Sequence, residues 1–262
     1  MDRLVVIKGA GDMASGIAHR LHRSGYKVIM TEIAQPTAIR RTVAFAEAIF
    51  AGEAVVEGLT AFRAKPEDAM RVVGEGRIAV TVDPVGRCVK LLRPWAVVDA
   101  ILAKRNTGTS MNDAPVVIGV GPGFVAGQDV HLVVETMRGH YLGKVIEQGP
   151  ALPNTGVPGE IAGHTVDRIL RAPCQGLFSA AQAIADVVAA GSVVARVDGQ
   201  PVIAAISGVL RGLLHDGVLA TPGMKVGDID PRCVPEHCFT VSDKARSVAG
   251  GVLEGLLYWG RR

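Results

Sequence analysis

The chain has 262 residues, 28 basic against 25 acidic side chains, and 48% hydrophobic content. A net charge of only +3 with this much apolar content excludes disorder, and the absence of a Gly-X-Y period excludes collagen. The longest apolar stretches, such as Val187–Val197, fall well short of the roughly 18 residues that argue for a membrane helix. Cys88, Cys174, Cys233 and Cys238 are widely scattered, and Met1-Asp2-Arg3-Leu4 runs straight into an apolar segment. Both features point to a reduced, cytoplasmic protein without a signal peptide.

The basic residues form no stripe, and eleven dispersed aromatics make a poor stacking platform, so nucleic acid is not an expected partner. Glycine is the anomaly. The chain holds 32, about 12% of its length, against a usual share of about 7%.

In chain order, Leu4–Ile7 is a short β-branched run leading into Gly9-Ala10-Gly11-Asp12-Met13-Ala14. A helical pattern follows, with Ile17, Ala18 and Leu21 on one face, stopping at Ser24-Gly25. A second strand, Lys27–Thr31, ends at Glu32. Gly9-x-Gly11-x-x-Ala14 fits the GxGxxG/A dinucleotide pattern in its required context, after a strand and opening a helix. Gly9 permits the tight turn, Gly11 lets a phosphate approach the backbone, and the helix end offers N–H groups and a positive dipole. Ser15 extends that loop, and Glu32, 21 residues past Gly11, is placed to accept from ribose hydroxyls. Asp12 opposes a nearby phosphate unless it caps the helix or binds a metal. Helix-on-strand packing alone also accounts for glycine here.

Further βα units are fainter. Val55–Val56 and Ala61–Phe62 are short β candidates, Pro66–Val73 reads as a helix, and Arg77–Val82 as a strand ending at Asp83-Pro84. Trp95–Ala103 reads as an apolar helix and Val116–Val120 as a buried strand. The alternation predicts a mostly parallel sheet covered by helices, with ligands at the carboxyl ends of its strands. Glu32, Asp83, Gly121 and Gly123 fall at those ends, and Arg40 and Arg41 are placed to meet a phosphate.

Ten glycines then fall within residues 116–165, around a strand at Val130–Thr136. They predict ordered loops, the usual carriers of binding residues, or a domain junction. From Ile184 to Pro231, short apolar runs alternate with turn glycines, and Asp186–Gly191 and Val218–Gly223 read as two copies of one turn. This pattern resembles the barrel-sandwich hybrid of biotinyl and lipoyl domains. Asp198-Gly199-Gln200-Pro201 stands where a carrier domain would present its lysine, so no covalent arm is expected. Ser242 caps a terminal helix that includes Val248–Trp259.

The expected fold class is α/β. It comprises a Rossmann-like nucleotide-binding domain over residues 1–145, a Gly-rich connection with a β-rich, barrel-sandwich-hybrid-like module over 146–235, and a C-terminal helix over 236–262 packing back on the α/β domain. Three groups of side chains carry possible chemistry. Cys233, His237 and Cys238 form the one dense cluster of soft metal ligands, although no second pair stands at a standard spacing, so no metal is assigned. Glu135, Arg138 and His140 follow a strand, with His140 a candidate general base. Lys104 is a second candidate acid/base.

Several strings carry a resemblance. They are Ile7-Lys8-Gly9-Ala10-Gly11-Asp12, Thr31-Glu32 with Pro36–Val43, Val98-Asp99-Ala100 with Ala103–Asn106, Gly121-Pro122-Gly123-Phe124, Glu135–His140, Pro153-Asn154-Thr155-Gly156 and Ser242-Asp243-Lys244-Ala245. In this order, nearly end to end, they resemble the YqeB-type accessory proteins of selenium-dependent molybdenum hydroxylases. The resemblance implies a maturation role toward a hydroxylase client or its machinery. A nucleotide or molybdopterin dinucleotide is the suspected ligand, held by Gly9, Gly11, Asp12, Ala14, Ser15 and Glu32. Arg40, Arg41, Asp83, Lys104, Arg105, Gly121, Gly123, Arg138 and Asn154 complete the expected ligand surface. One alternative is a nicotinamide-dependent oxidoreductase acting on a small molecule, and a second is a helper that transfers selenium or sulfur through Cys174 or Cys233.

Overall fold

A computed structural model describes residues 3–261; Met1 and Asp2 of the leader reading, and Arg262, lie outside the described residues. The chain divides into two compact units, one of residues 1–34, 44–155 and 241–262, the other of residues 35–43 and 156–240.

The first unit begins β1 (Leu4–Lys8), α1 (Asp12–Arg23), β2 (Lys27–Glu32) and the single turn α2 (Ala48–Ala51). It continues through β3 (Glu53–Val56), β4 (Leu59–Ala64), α3 (Ala69–Gly74), β5 (Ile78–Val82), α4 (Arg87–Leu92) and β6 (Ala96–Asp99). Then come β7 (Val116–Val120), β8 (Val125–Ala126), β9 (Leu132–Val134), β10 (Val145–Ile146) and β11 (Gly149–Pro150). Nine strands form one sheet, in the order β10-β9-β7-β6-β1-β2-β5-β4-β3. Pairing is parallel from β9 through to β4 and antiparallel at both ends. β1 lies between β2 and β6, where the winding of the sheet reverses, so the loop after β1 opens at a topological switch point.

One element departs from its sequence reading. Residues 96–99, expected within a helix, form β6, a central strand whose four residues are all buried. Ala-Val-Val is a continuous apolar run, and a strand covered on both faces carries no alternation to separate it from a buried helix. The expected helix over Pro66–Val73 begins only at Ala69, after a turn.

The second unit comprises β12 (Ile169–Arg171), β13 (Gly176–Ala180), β14 (Val187–Val188), β15 (Val193–Val197), β16 (Gln200–Ile203), β17 (Gly208–Leu213), β18 (Leu219–Ala220) and β19 (Lys225–Asp230). They form two four-stranded antiparallel sheets, β12-β19-β17-β14 and β16-β15-β13-β18. The two repeated turns each begin with a two-residue strand, β14 and β18, and each of these lies at the edge of its own sheet. Asp198-Gly199 forms the β15–β16 hairpin tip, both residues at positive φ.

Residues 35–43 also belong to this unit rather than to the α/β portion that surrounds them in sequence. The Ile39 carbonyl accepts from Leu213 N–H at 2.9 Å, and a Cβ at Gly212 would lie 2.9 Å from the same oxygen. The final helix, α5 (Asp243–Trp259), returns to the first unit, with Ser242 Oγ accepting from Ala245 N–H at its start. The boundary near 155 falls ten residues later than 145. The stretch between runs through β10 and β11, which pair with β9 and β8.

Candidate functional site

The glycine loop sits at the carboxyl edge of the first unit, and its two glycines differ in kind. Gly9 has φ +95°, and a Cβ there would lie 2.9 Å from the Ala100 carbonyl oxygen, so this position is fixed by packing against the chain leaving β6. Its N–H donates to Thr31 O at 2.9 Å, tying β1 to β2. Gly11 caps α1 with φ −66° and ψ −178°, a backbone any residue adopts. A Cβ there would meet nothing within 4 Å, and Gly11 itself brings no side chain to cap the helix. The space over Gly11 is therefore open above a helix N-terminus.

Glu32 holds the loop in place. Its Oε2 accepts from Ala10 N–H at 2.9 Å and its Oε1 from Ile33 N–H at 2.8 Å. Burial raises its pKa above the ordinary glutamate value, against the two backbone hydrogen bonds. Val82, the register partner of Glu32 on β5, lines a cavity of about 550 Å³ together with Arg63, Lys65, Arg71 and Thr81. Thr81 is fully buried and its hydroxyl has no hydrogen-bond partner among the described residues. An unsatisfied buried hydroxyl in a cavity wall marks a place where a polar ligand atom or a water is accommodated.

On the other side of the switch point lies a polar network that the sequence reading did not single out as a site. Thr109 Oγ1 donates to Asp99 Oδ2 at 2.6 Å and accepts from Lys8 Nζ at 2.8 Å. Lys8 Nζ also lies 3.3 Å from Asp113 Oδ2. Asp99 is 1% exposed, and burial raises its pKa against hydrogen bonds from Thr109 and Ile101. Lys8 and Asp99 end the adjacent parallel strands β1 and β6 in matched register. That register was the available signal, hidden because β6 was read as helix.

Another cation stands where α1 and α5 pack together. Lys244, in the first turn of α5, is held below the usual lysine range by burial and by Arg138, with Asp12, Glu135 and Asp243 acting in the opposite direction. A Cβ on Gly16 of α1 would lie 2.9 Å from Ala245 Cβ, which fixes how closely the helices approach.

Several expected ligand contacts instead hold the framework. Ser15 is fully buried, donating to Ala10 O at 3.0 Å and accepting from Phe45 N–H at 2.7 Å. Ala14 is equally buried. Asp83 accepts from Arg87 and Cys88 N–H groups at 2.9 and 2.8 Å, so its carboxylate stops the start of α4. Glu135 accepts from Thr136, Met137 and Leu152 N–H groups. Arg138 is paired in bidentate fashion with Asp243, at 2.6 and 2.9 Å. Arg40 and Arg41 belong to the second unit, where Arg40 donates to the His237 and Thr240 carbonyls and Arg41 to that of Leu213.

Gly121 and Gly123 pack against other loops. A Cβ on Gly121 would lie 2.7 Å from Thr136 Oγ1, and one on Gly123 2.6 Å from the Arg105 nitrogen. That contact leaves the Lys104 and Arg105 side chains exposed at the rim, and Asn154 is exposed as well. His140 is exposed, its ring edge-on to Tyr141 at 4.9 Å.

The soft-ligand cluster does not converge. Cys233 is exposed, Cys238 is buried with its thiol 3.6 Å from Leu210 O, and His237 Nδ1 lies 3.9 Å from Asp230. Among the described residues no group of three His, Cys, Asp or Glu side chains is arranged to hold a metal ion. Cys88 is fully buried, its pKa pushed up to about 12 by burial and the Asp83 carboxylate. No helix of the described residues is long and apolar enough to cross a membrane.

No protein-family model matches the chain. The chain is 52% identical over 256 residues to the uncharacterized protein YqeB of Escherichia coli strain K12, covering 97% of this chain and 47% of that protein. The two are homologous across nearly all of this chain, which spans about half the length of that relative. Among solved structures it aligns with an aspartoacylase family protein of Mesorhizobium loti at TM-score 0.28 and 11% identity, over 87% of this chain and 84% of the other. A succinylglutamate desuccinylase/aspartoacylase of Rhodobacter sphaeroides aligns at TM-score 0.27 and 15% identity, over 87% and 85%. Scores of this size do not establish a common fold.

Proposed function

We propose that this chain binds a nucleotide-type ligand across the carboxyl edge of its parallel sheet and serves as an accessory protein in the maturation of selenium-dependent molybdenum hydroxylases. The observation that carries the binding is the open approach to Gly11 at the start of α1, with Glu32 fastening the loop beneath it. A pyrophosphate there meets backbone N–H groups and the positive end of the helix dipole. Lys244 supplies a nearby positive charge, Glu32 faces the ribose, and the cavity lined by Thr81 takes the base end. A molybdopterin dinucleotide satisfies these demands, and the maturation role follows from the family resemblance of the sequence strings.

The second unit we read as a Rossmann-independent, barrel-sandwich-hybrid-like module. Its two four-stranded sheets with equivalent edge turns support this, and so does the hairpin tip at Asp198-Gly199, which offers no lysine for a covalent arm. In this reading the module contacts the client hydroxylase or its maturation machinery.

One observation favours a second reading, an oxidoreductase using a nicotinamide dinucleotide. The Lys8–Thr109–Asp99 network stands beside the switch point, and it offers a proton donor better ordered than exposed Lys104 or His140. The mass and absorbance of ligand released from freshly purified protein separate the two. A molybdopterin species supports the accessory role, and a nicotinamide dinucleotide supports the enzyme. Absence of any bound or titratable nucleotide contradicts both.

A further inference from the structure

The second unit carries a concentration of buried charge that the glycine-loop site does not use. Asp228 and Asp230 on β19 are 3% and 1% exposed, and each has a committed partner. Asp230 receives Arg232 through Nε at 2.9 Å and Nη2 at 2.6 Å, and Asp228 is paired with Arg168. Arg211 on β17 is left over. It is 8% exposed, its Nε has no hydrogen-bond partner, and its nearest carboxylate contact is Asp230 Oδ2 at 3.8 Å. No hydrogen-bond partner for this Nε is found among the described residues.

Its placement follows from local structure. The register between β17 and β19 shifts between Leu210 and Gly212, so Arg211 is the extra residue of a bulge, a device that re-aims a side chain. Gly212 admits the Ile39 carbonyl at close range, and the chain that follows brings the Arg40 guanidinium into the same field. His237 adds a buried Nδ1 with no hydrogen-bond partner among the described residues, 3.9 Å from Asp230 Oδ2. Four guanidinium groups, Arg40, Arg168, Arg211 and Arg232, thus surround two carboxylates. Arg211 shares Asp230 with Arg232 and makes no close contact of its own, and a buried guanidinium held this loosely is costly unless a further acceptor arrives.

We propose that the second unit binds a phosphate-type oxyanion at the guanidinium of Arg211, with His237 as a further donor and Arg40 and Arg232 supplying the surrounding positive field. A planar guanidinium whose Nε lacks a hydrogen-bond partner can present its edge to two oxygens of a tetrahedral anion. The ligand is either the free ion or the phosphate end of a larger molecule, and it is independent of the nucleotide proposed for the first unit.

The test compares melting temperatures of the whole chain in inorganic phosphate and in chloride at matched ionic strength, with glycerol 3-phosphate as a third arm. At about ten times its dissociation constant, phosphate is expected to raise the wild-type melting temperature by about 3–5 °C over chloride. The gain should disappear in Arg211→Met, shrink in Arg211→Lys, and persist in Arg171→Gln on the exposed end of β12. Line broadening in the phosphorus NMR signal of phosphate, titrated with wild-type protein alone, covers the case in which a variant fails to fold. An equal gain from glycerol 3-phosphate assigns the site to a phosphate ester, and a gain from inorganic phosphate alone assigns it to the free ion. No phosphate-specific gain or broadening, or the same gain in folded Arg211→Met, overturns the proposal.

Discussion

At the scale of single residues, the four cysteines illustrate how environment separates identical side chains. Cys88 sits fully buried beside the Asp83 carboxylate, and both influences favour its neutral thiol. Cys233 is exposed. In native protein at pH 8, iodoacetamide should modify Cys233 and leave Cys88 and Cys238 unmodified, whereas all four react after denaturation; peptide mass mapping reads this directly. Early alkylation of Cys88 would show that its pocket opens. Asp99 makes a prediction with a sign. Its folded pKa is raised by burial, so the native state holds a proton that the unfolded chain releases, and stability falls as pH rises from the ordinary aspartate value through the folded one. Asn at this position has no such titration. The melting temperature of Asp99→Asn relative to wild type should therefore climb as pH rises through the acid range toward neutrality, and a flat difference would remove Asp99 from the account. The sequence disclosed the residue types here but not their roles. Ser15 and Asp83 carry the polar atoms expected of ligand contacts, and Glu135 those of a group with possible chemistry, yet these atoms satisfy backbone groups at helix starts and loop crossings, a demand visible only once the loops have met.

At the scale of elements, helix α5 contains two neighbouring glycines with opposite demands. A Cβ on Gly250 would meet only the end of the Arg20 side chain, at 3.7 Å. One on Gly251 would clash with the Gly143 carbonyl oxygen. Gly250→Ala is expected to stabilise the protein by about 0.5–1 kcal/mol, the usual gain for glycine in a helix interior. Gly251→Ala should destabilise by about 1–3 kcal/mol through overpacking. Chemical denaturation of both variants tests this, and equal effects would mean that α5 does not lie against the loop carrying Gly143. The strand–loop–helix–strand opening and the terminal helix were legible because each carries a local signal, a glycine turn or a serine cap, beside its apolar pattern. β6 was not, since Ala96-Val97-Val98 is apolar on both sides.

At the scale of the whole molecule, the chain leaves its α/β portion at residue 35 and re-enters it at 44. Nothing local marks that excursion; its reason is the long-range pairing of Ile39 with Leu213 and the Arg41 hydrogen bond to Leu213 O. A fragment of residues 156–240 alone lacks this strip and should melt without cooperativity in circular dichroism. Adding residues 35–43 through a flexible linker should restore a sigmoidal transition, and a cooperative melt without them would refute the assignment. The glycine excess separates along the same lines. Gly9 and Gly123 are required where backbones meet and Gly121 where the Thr136 side chain packs, whereas Gly11 leaves space that the fold itself does not fill.

That distinction makes Gly11→Val the most direct test of the nucleotide reading, because its φ of −66° and its open surroundings admit a valine side chain without a clash, at the modest cost of a poorer N-cap. The measurement is native mass spectrometry of freshly purified wild-type and variant protein, followed by calorimetric titration of each with ADP. Wild type is expected to retain a ligand mass or bind ADP, and Gly11→Val, still melting cooperatively within a few degrees of wild type, to lose both by at least about tenfold in affinity, or about 1.4 kcal/mol. Equal ligand mass and equal ADP affinity in the two proteins would contradict the account.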